Sequence, residues 1–174
     1  MRVNYYEFYK RRLNENNRIG KDINGDSIYE YANVSEIPNE LFKNPSYSVL
    51  LPEIPKFVEN LIGFKNRKVL LKKKVILKTL RDHSEIELSM HKKILTLAVY
   101  NPTVFMKNKP ISKPNYLAFV NEGDYYAVST IDFDETKKYI EIVDWRKVDS
   151  KEFDRMIRKV SAEGGQFLIK AVDR

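Results

Sequence analysis

The run from Val104 to Val143 constrains this chain more than any other stretch, because its links leave its β-rich segments few ways to pair. Val104–Met106, Tyr116–Val120, Tyr125–Ile131 and Lys138–Val143 are rich in β-branched and aromatic residues with a period of two. The link NEGD (121–124) and the link DFDETKK (132–138) are hairpin-sized and full of turn formers. A parallel crossover needs about a dozen residues, so the segments should form an antiparallel meander. Helices flank it. Val75, Ile76, Thr79, Leu80 and His83 follow steps of three and four, which puts them on one face of a helix starting near Lys72. A second helix is expected from Ser89 through Ile94, Leu95, Ala98 and Val99, stopped by Asn101-Pro102. Beyond the meander, Asp149 and Glu152 have capping-box spacing and open a helix with Phe153, Met156, Ile157 and Val160 on one face. Gly164-Gly165 ends it, and Gln166–Val172 returns as one more strand. These elements predict a single α+β domain in which N-terminal helices pack on one face of a four- or five-stranded antiparallel sheet.

The first part of the chain reads differently. Pro38, Pro45, Pro52 and Pro55 fall close together, allowing only short helical pieces, one after Pro38 and one from Pro55 to Gly63. Asn24-Gly25 suits a tight turn between Arg18-Ile19 and Ile28–Tyr31. Tyr5, Tyr6, Phe8 and Tyr9, ahead of Arg11 and Arg12, are expected to pack an arm onto the body, with stacking on bases as the alternative. We divide the chain into an arm with wrapping helices, 1–64, and an α+β core, 65–174.

Composition narrows the chemistry. With no cysteine and two histidines among 174 residues, neither a thiolate site nor a His-rich metal site is available, so no metal or other cofactor is expected. The sequence has no run of about 20 apolar residues and its start lacks an apolar signal core, so a cytoplasmic protein without a membrane partner is expected. A formal net charge of +7 favours anionic partners. The charge concentrates at Lys72–Lys93, KKKVILKTLRDHSEIELSMHKK, which also holds both histidines.

The order of LKTLRDHSEI (77–86), a helix, NPTVF (101–105) and a strand meander resembles the phage-associated barnase, EndoU, colicin and RelE-like nucleases over roughly residues 68–171. In this chain Ser84, not Pro, follows His83. The resemblance implies metal-independent RNA cleavage by a toxin or other module of a phage or mobile element, with RNA as substrate and an immunity or antitoxin protein as partner. Such cleavage needs a base for the 2′-OH, an acid for the leaving oxygen and a cation for the phosphate. His83 is the candidate acid or base, and Lys78 and Arg81, within a turn of it, supply charge; Lys74 is a further phosphate contact. Alternation along 127–132 puts Thr130 on the opposite face from Ser129, and Thr130 is the candidate phosphate donor of the sheet. Glu141 points away from Ile140 and Ile142, towards solvent or a cleft. Gln166, after the two glycines, is placed to contact phosphate or base. A non-catalytic RNA-binding or protein-interaction module is the alternative. For each residue a plainer role competes: His83 as a packed core residue, the lysines as a solvated face, and His91 and Trp145 as core.

Overall fold

The computed structural model describes residues 17–110 and 113–169. Its strands are β1 (Arg18–Lys21), β2 (Ser27–Glu30), β3 (Ser48–Leu51), β4 (Val69–Leu71), β5 (Val104–Lys107), β6 (Tyr116–Asn121), β7 (Tyr126–Asp132), β8 (Ile140–Val148) and β9 (Gln166–Ile169). Among the described residues, four α-helices accompany them: α1 (Lys56–Ile62), α2 (Lys73–Asp82), α3 (Leu88–Tyr100) and α4 (Ser150–Ala162). All nine described strands join one sheet in the order β1-β2-β3-β4-β8-β7-β6-β5-β9.

From β9 through β5, β6 and β7 to β8 every pairing is antiparallel. The other part is mixed: β1 with β2 and β3 with β4 are antiparallel, while β2 with β3 and β4 with β8 are parallel. The expected four- or five-stranded antiparallel sheet with helices on one face is therefore corrected to a nine-stranded mixed sheet covered by helices on both faces. The hairpin expected about Asn24-Gly25 is present as β1–β2 and joins the same sheet through β3; β3 and β4 escape the sequence because they are only four and three residues long. Strands that short show no period, and SVLL and VLL, buried throughout, lack the apolar–polar alternation of a half-solvated strand. The proline-rich stretch before β3 is the crossover between parallel β2 and β3, and it carries Ile37, Leu41, Phe42 and Tyr47 into the main core.

The two sheet faces bury different sets. Val49, Leu51, Val69, Leu71, Ala118, Ala127, Ile131, Ile140, Ile142 and Trp145 pack under α1–α3 and the crossover. Met106, Leu117, Phe119, Val128 and Val148 meet Phe153 and Val160 of α4 on the other face. Ile28, Leu50 and Leu70 form a smaller cluster with Tyr139. Local signals explain the ends of the helices. Asp149 caps α4, accepting the Glu152 backbone N–H at 2.7 Å, and Gly63 closes α1 at φ +78°. Gly165 is needed for a different reason: a Cβ there would lie 2.3 Å from Val160 Cγ1 and 2.9 Å from the Lys107 carbonyl oxygen, so only glycine lets the chain leave α4 and enter β9. The tyrosines and arginines of the N-terminal arm, and residues 170–172 of the last expected strand, lie outside the described residues.

Candidate nucleic-acid interface

A bulge in β8 sets up the first group. Thr130 pairs with Asp144 while Ile131 pairs with Ile142, so one residue of β8 is extra. That extra residue is why Ile142 and Trp145, an odd number of positions apart, both reach the core under α3. It also presents the Asp144 carboxylate to the end of α2. Thr79 Oγ1 donates to Asp144 Oδ1 at 3.4 Å, and His83 Nε2 lies 3.3 Å from the same oxygen. The backbone of His83 is held too, its N–H closing the last turn of α2 on the Thr79 carbonyl. Its other ring nitrogen, Nδ1, is 3.4 Å from Glu85 Oε1. The His83 side chain is 17% exposed and that of Glu85 60%, so Asp144 is the fixed partner and Glu85 the one a ligand can displace.

On a different side of the same helix, Lys74, Lys78 and Arg81 recur at four- and three-residue steps and line a groove of about 540 Å³ with Leu77 and Val143. The groove runs along α2 from its first turn, where β4 passes into the helix, to Arg81 in its last. At the first turn the Lys73 backbone N–H donates to Ser48 Oγ, and Ser48 Oγ donates to Asp22. Lys73 is 3.6 Å from Asp26, and Arg81 is paired only with exposed Asp82 at 3.1 Å. Among the described residues neither Lys74 nor Lys78 has a carboxylate partner. Neither ammonium is therefore in a close ion pair, although the Asp26 carboxylate lines the same groove, and Lys74 lies in the first turn of the helix, whose N-terminus favours anions.

The remaining candidate residues are dispersed. Thr130 lines a separate groove beside α4, together with Arg146 and Lys159. Gln166 stands exposed on β9, at the far edge of the sheet, paired with Lys107. Glu141 sits in an ion network: its two oxygens lie 2.6 Å from Lys72 Nζ and 2.9 Å from Lys137 Nζ, and Lys137 is 2.6 Å from Asp132. Burial pulls the Glu141 carboxyl upwards, but the hydrogen bonds from Lys72 and Lys137 outweigh it and hold the group below its ordinary value. The same balance, with the acids favouring the charged ammonium over its burial, leaves Lys137 raised. The network spans the parallel β4–β8 junction, where Leu70 pairs with Glu141, which gives Glu141 a bracing role. Lys74, Lys78 and Arg81 share α2, and His83 is the residue that caps its C-terminus, facing a different partner from the other three.

Asp144 and Lys159 are not singled out by the sequence, and Arg146 stands out there only as a candidate stacking partner of Trp145. No local pattern shows that Asp144 will meet His83, because the contact exists only through the bulge. His91, in contrast, is buried: Trp145 Nε1 donates to its Nδ1 at 3.1 Å, and Phe42 stacks on its ring at 5.7 Å between centroids. Burial pushes the ring below its ordinary pKa, against a hydrogen bond to the Ile86 backbone that favours the charged form.

No helix among the described residues is long and apolar enough to cross a membrane. No curated protein and no solved structure matches the chain. Residues 22–160, most of the described sheet and all four helices up to Val160, match the model of the family described as large polyvalent protein-associated domain 13, and the chain belongs to that family.

Proposed function

We propose that the chain is a metal-independent endoribonuclease-like domain that docks the RNA backbone against α2 and uses His83 as its proton carrier. Its family associates it with phage and mobile elements, a setting in which a toxin held in check by an immunity or antitoxin protein is a natural role. The observation that carries this reading is the position of one acid–base couple, His83 with Asp144, at the end of the ten-residue helix that also bears Lys74 and Lys78, neither of them in an ion pair among the described residues.

The chemistry follows from the two ring nitrogens. Asp144 accepts from Nε2–H and so leaves Nδ1 as the basic nitrogen once Glu85 swings away. Nδ1 takes the 2′-OH proton as the 2′ oxygen attacks phosphorus; the bond from phosphorus to the 5′ oxygen breaks, and that oxygen takes a proton from water. The products are a 2′,3′-cyclic phosphate and a 5′-hydroxyl end, and His83 returns its proton to solvent. Lys78 and Arg81 oppose the charge that builds on the phosphate oxygens. A second reading, a non-catalytic RNA-binding or protein-interaction module, is favoured by the contacts of both ring nitrogens with carboxylates.

A panel of labelled RNAs separates the two. Cleavage by the wild-type protein that disappears in His83→Ala, with affinity retained, supports the enzyme. Salt-dependent binding without cleavage supports the module. Absence of both in the wild type refutes every nucleic-acid reading.

A further inference from the structure

The groove beside α4 has the same character as the one beside α2. It encloses about 300 Å³ and is lined by Thr130, Arg146, Met156 and Lys159. Its other cations are occupied: Arg155 grips Glu152 through two nitrogens, at 2.8 and 2.6 Å, and Lys109 lies 3.6 Å from Glu163. Lys159 is in no ion pair among the described residues, and the Arg146 guanidinium lies 3.4 Å from Met156 Sδ, with the Glu152 carboxylate close enough to feel its charge. Two grooves, each with two cations outside any close ion pair, thus lie on either side of the β8 bulge. The α2 groove reaches Val143, the α4 groove reaches Thr130, and Thr130 is the pairing partner of Asp144, the next residue after Val143.

We propose that the two grooves form one track for a single strand of RNA, in which Arg146, Lys159 and the Thr130 hydroxyl hold phosphates on one side of the bulge and Lys74 and Lys78 hold phosphates on the other. The proposal rests on the RNA reading of the α2 groove. The track turns from the end of β4 to the α4 side of the sheet, a course that a stiff duplex does not follow and a flexible single strand does. Between the cations, Leu77, 48% exposed, and the Met156 thioether offer apolar surface to bases. The carboxylate at the crossing, Asp144, is directed at His83 and Thr79, so the strand passes beside the acid–base couple.

Length and salt dependence test this. Affinities of a 4-nucleotide and a 12-nucleotide oligouridylate are measured across a salt series for the wild type, K74Q/K78Q, R146Q/K159Q and K159Q alone, each confirmed as folded by its thermal melt. Each lost phosphate contact on a single strand removes about 0.7 from the slope of log K against log salt. R146Q/K159Q should therefore lower the 12-mer slope by about 1.4 and K159Q by about 0.7, with 4-mer binding in the α2 groove retained. If the α4-side variants leave the 12-mer slope unchanged while K74Q/K78Q lowers it, the track is refuted and the α2 groove stands. If the wild type binds neither oligomer, the underlying RNA reading fails with it. Equal binding of a 12-base-pair duplex with the same slope losses overturns the single-strand assignment.

Discussion

Replacing Trp145 by Phe should destabilise the fold by about 2–5 kcal/mol at neutral pH and at the same time flatten its acid sensitivity. Trp145 is fully buried and His91 is 2% exposed. The substitution removes the indole N–H that donates to His91 Nδ1 at 3.1 Å, leaving a buried acceptor unpaired at a cost of about 1–3 kcal/mol. The smaller ring also gives up packing against Phe42, whose centroid lies 6.1 Å away, for about 1–2 kcal/mol more. The pH signature comes from His91, which burial holds below its ordinary value. With the folded pKa depressed, the unfolded chain binds the extra proton first. Stability is then complete above the unfolded value of about 6.5 and falls as pH drops towards the folded pKa, by at most about 1.4 kcal/mol per pH unit. In W145F nothing donates to Nδ1, the ring charges more readily in the folded state, and the loss per pH unit shrinks. Urea unfolding of both proteins at pH 7.5, 6.5 and 5.5 measures both effects. A W145F protein as stable as wild type at pH 7.5, or one with an undiminished acid slope, would refute the reasoning.

Two further substitutions probe the architecture. Glu141→Gln removes one of the two acids facing Lys72 and Lys137 and should cost about 1–2 kcal/mol at pH 7, between the values for exposed and fully buried pairs. Because the folded pKa of Glu141 is depressed, its contribution is present above the unfolded value and lost as pH falls through the folded one. Denaturant melts of E141Q and wild type should therefore converge as the pH falls below the unfolded value, and a gap that does not narrow in acid argues against the network. Gly165→Ala forces a Cβ to within 2.8 Å of the Val160 carbonyl oxygen and should cost about 1–3 kcal/mol by overpacking; an unchanged melting temperature would show that the exit from α4 is looser than the contacts indicate.

The parts of this molecule legible in its sequence are those where one residue spacing determines one geometry. The alternation through Tyr126–Asp132 distinguishes the face of Ala127 and Ile131 from that of Val128 and Thr130, and the two sets do enter different clusters. Asp149 and Glu152 announce the start of α4, and the spacing of Lys74, Lys78 and Arg81 announces a shared stripe. The β1–β2 hairpin about Asn24-Gly25 is legible in its turn residues, whereas β3 and β4 are hidden because Ser48–Leu51 and Val69–Leu71 are buried throughout and too short to show a period. Asp144 was hidden for another reason. Its meeting with His83 depends on one extra residue in β8, and a bulge leaves no mark in a period-two pattern until the partner strand is known. Gln166 and Thr130 illustrate the reverse problem: each was read correctly as polar and near a turn or a strand face, yet strand order places them on different strands at different parts of the sheet.

The parallel seam between β4 and β8 has a consequence for the order of events in folding. Two residue pairs, Val69 with Ile140 and Leu70 with Glu141, join the β1–β4 side to the β5–β9 side, and their partners are about 70 residues apart in the chain. The hairpins β6–β7 and β7–β8, in contrast, close over short loops. Loop-closure entropy grows with chain separation, so the local hairpins form early and the seam is sealed late. Interactions made after the transition state slow unfolding without speeding folding. The Glu141 network is then a latch on the lifetime of the folded chain, and its loss in E141Q falls on the unfolding limb of the chevron and leaves the folding limb where it was.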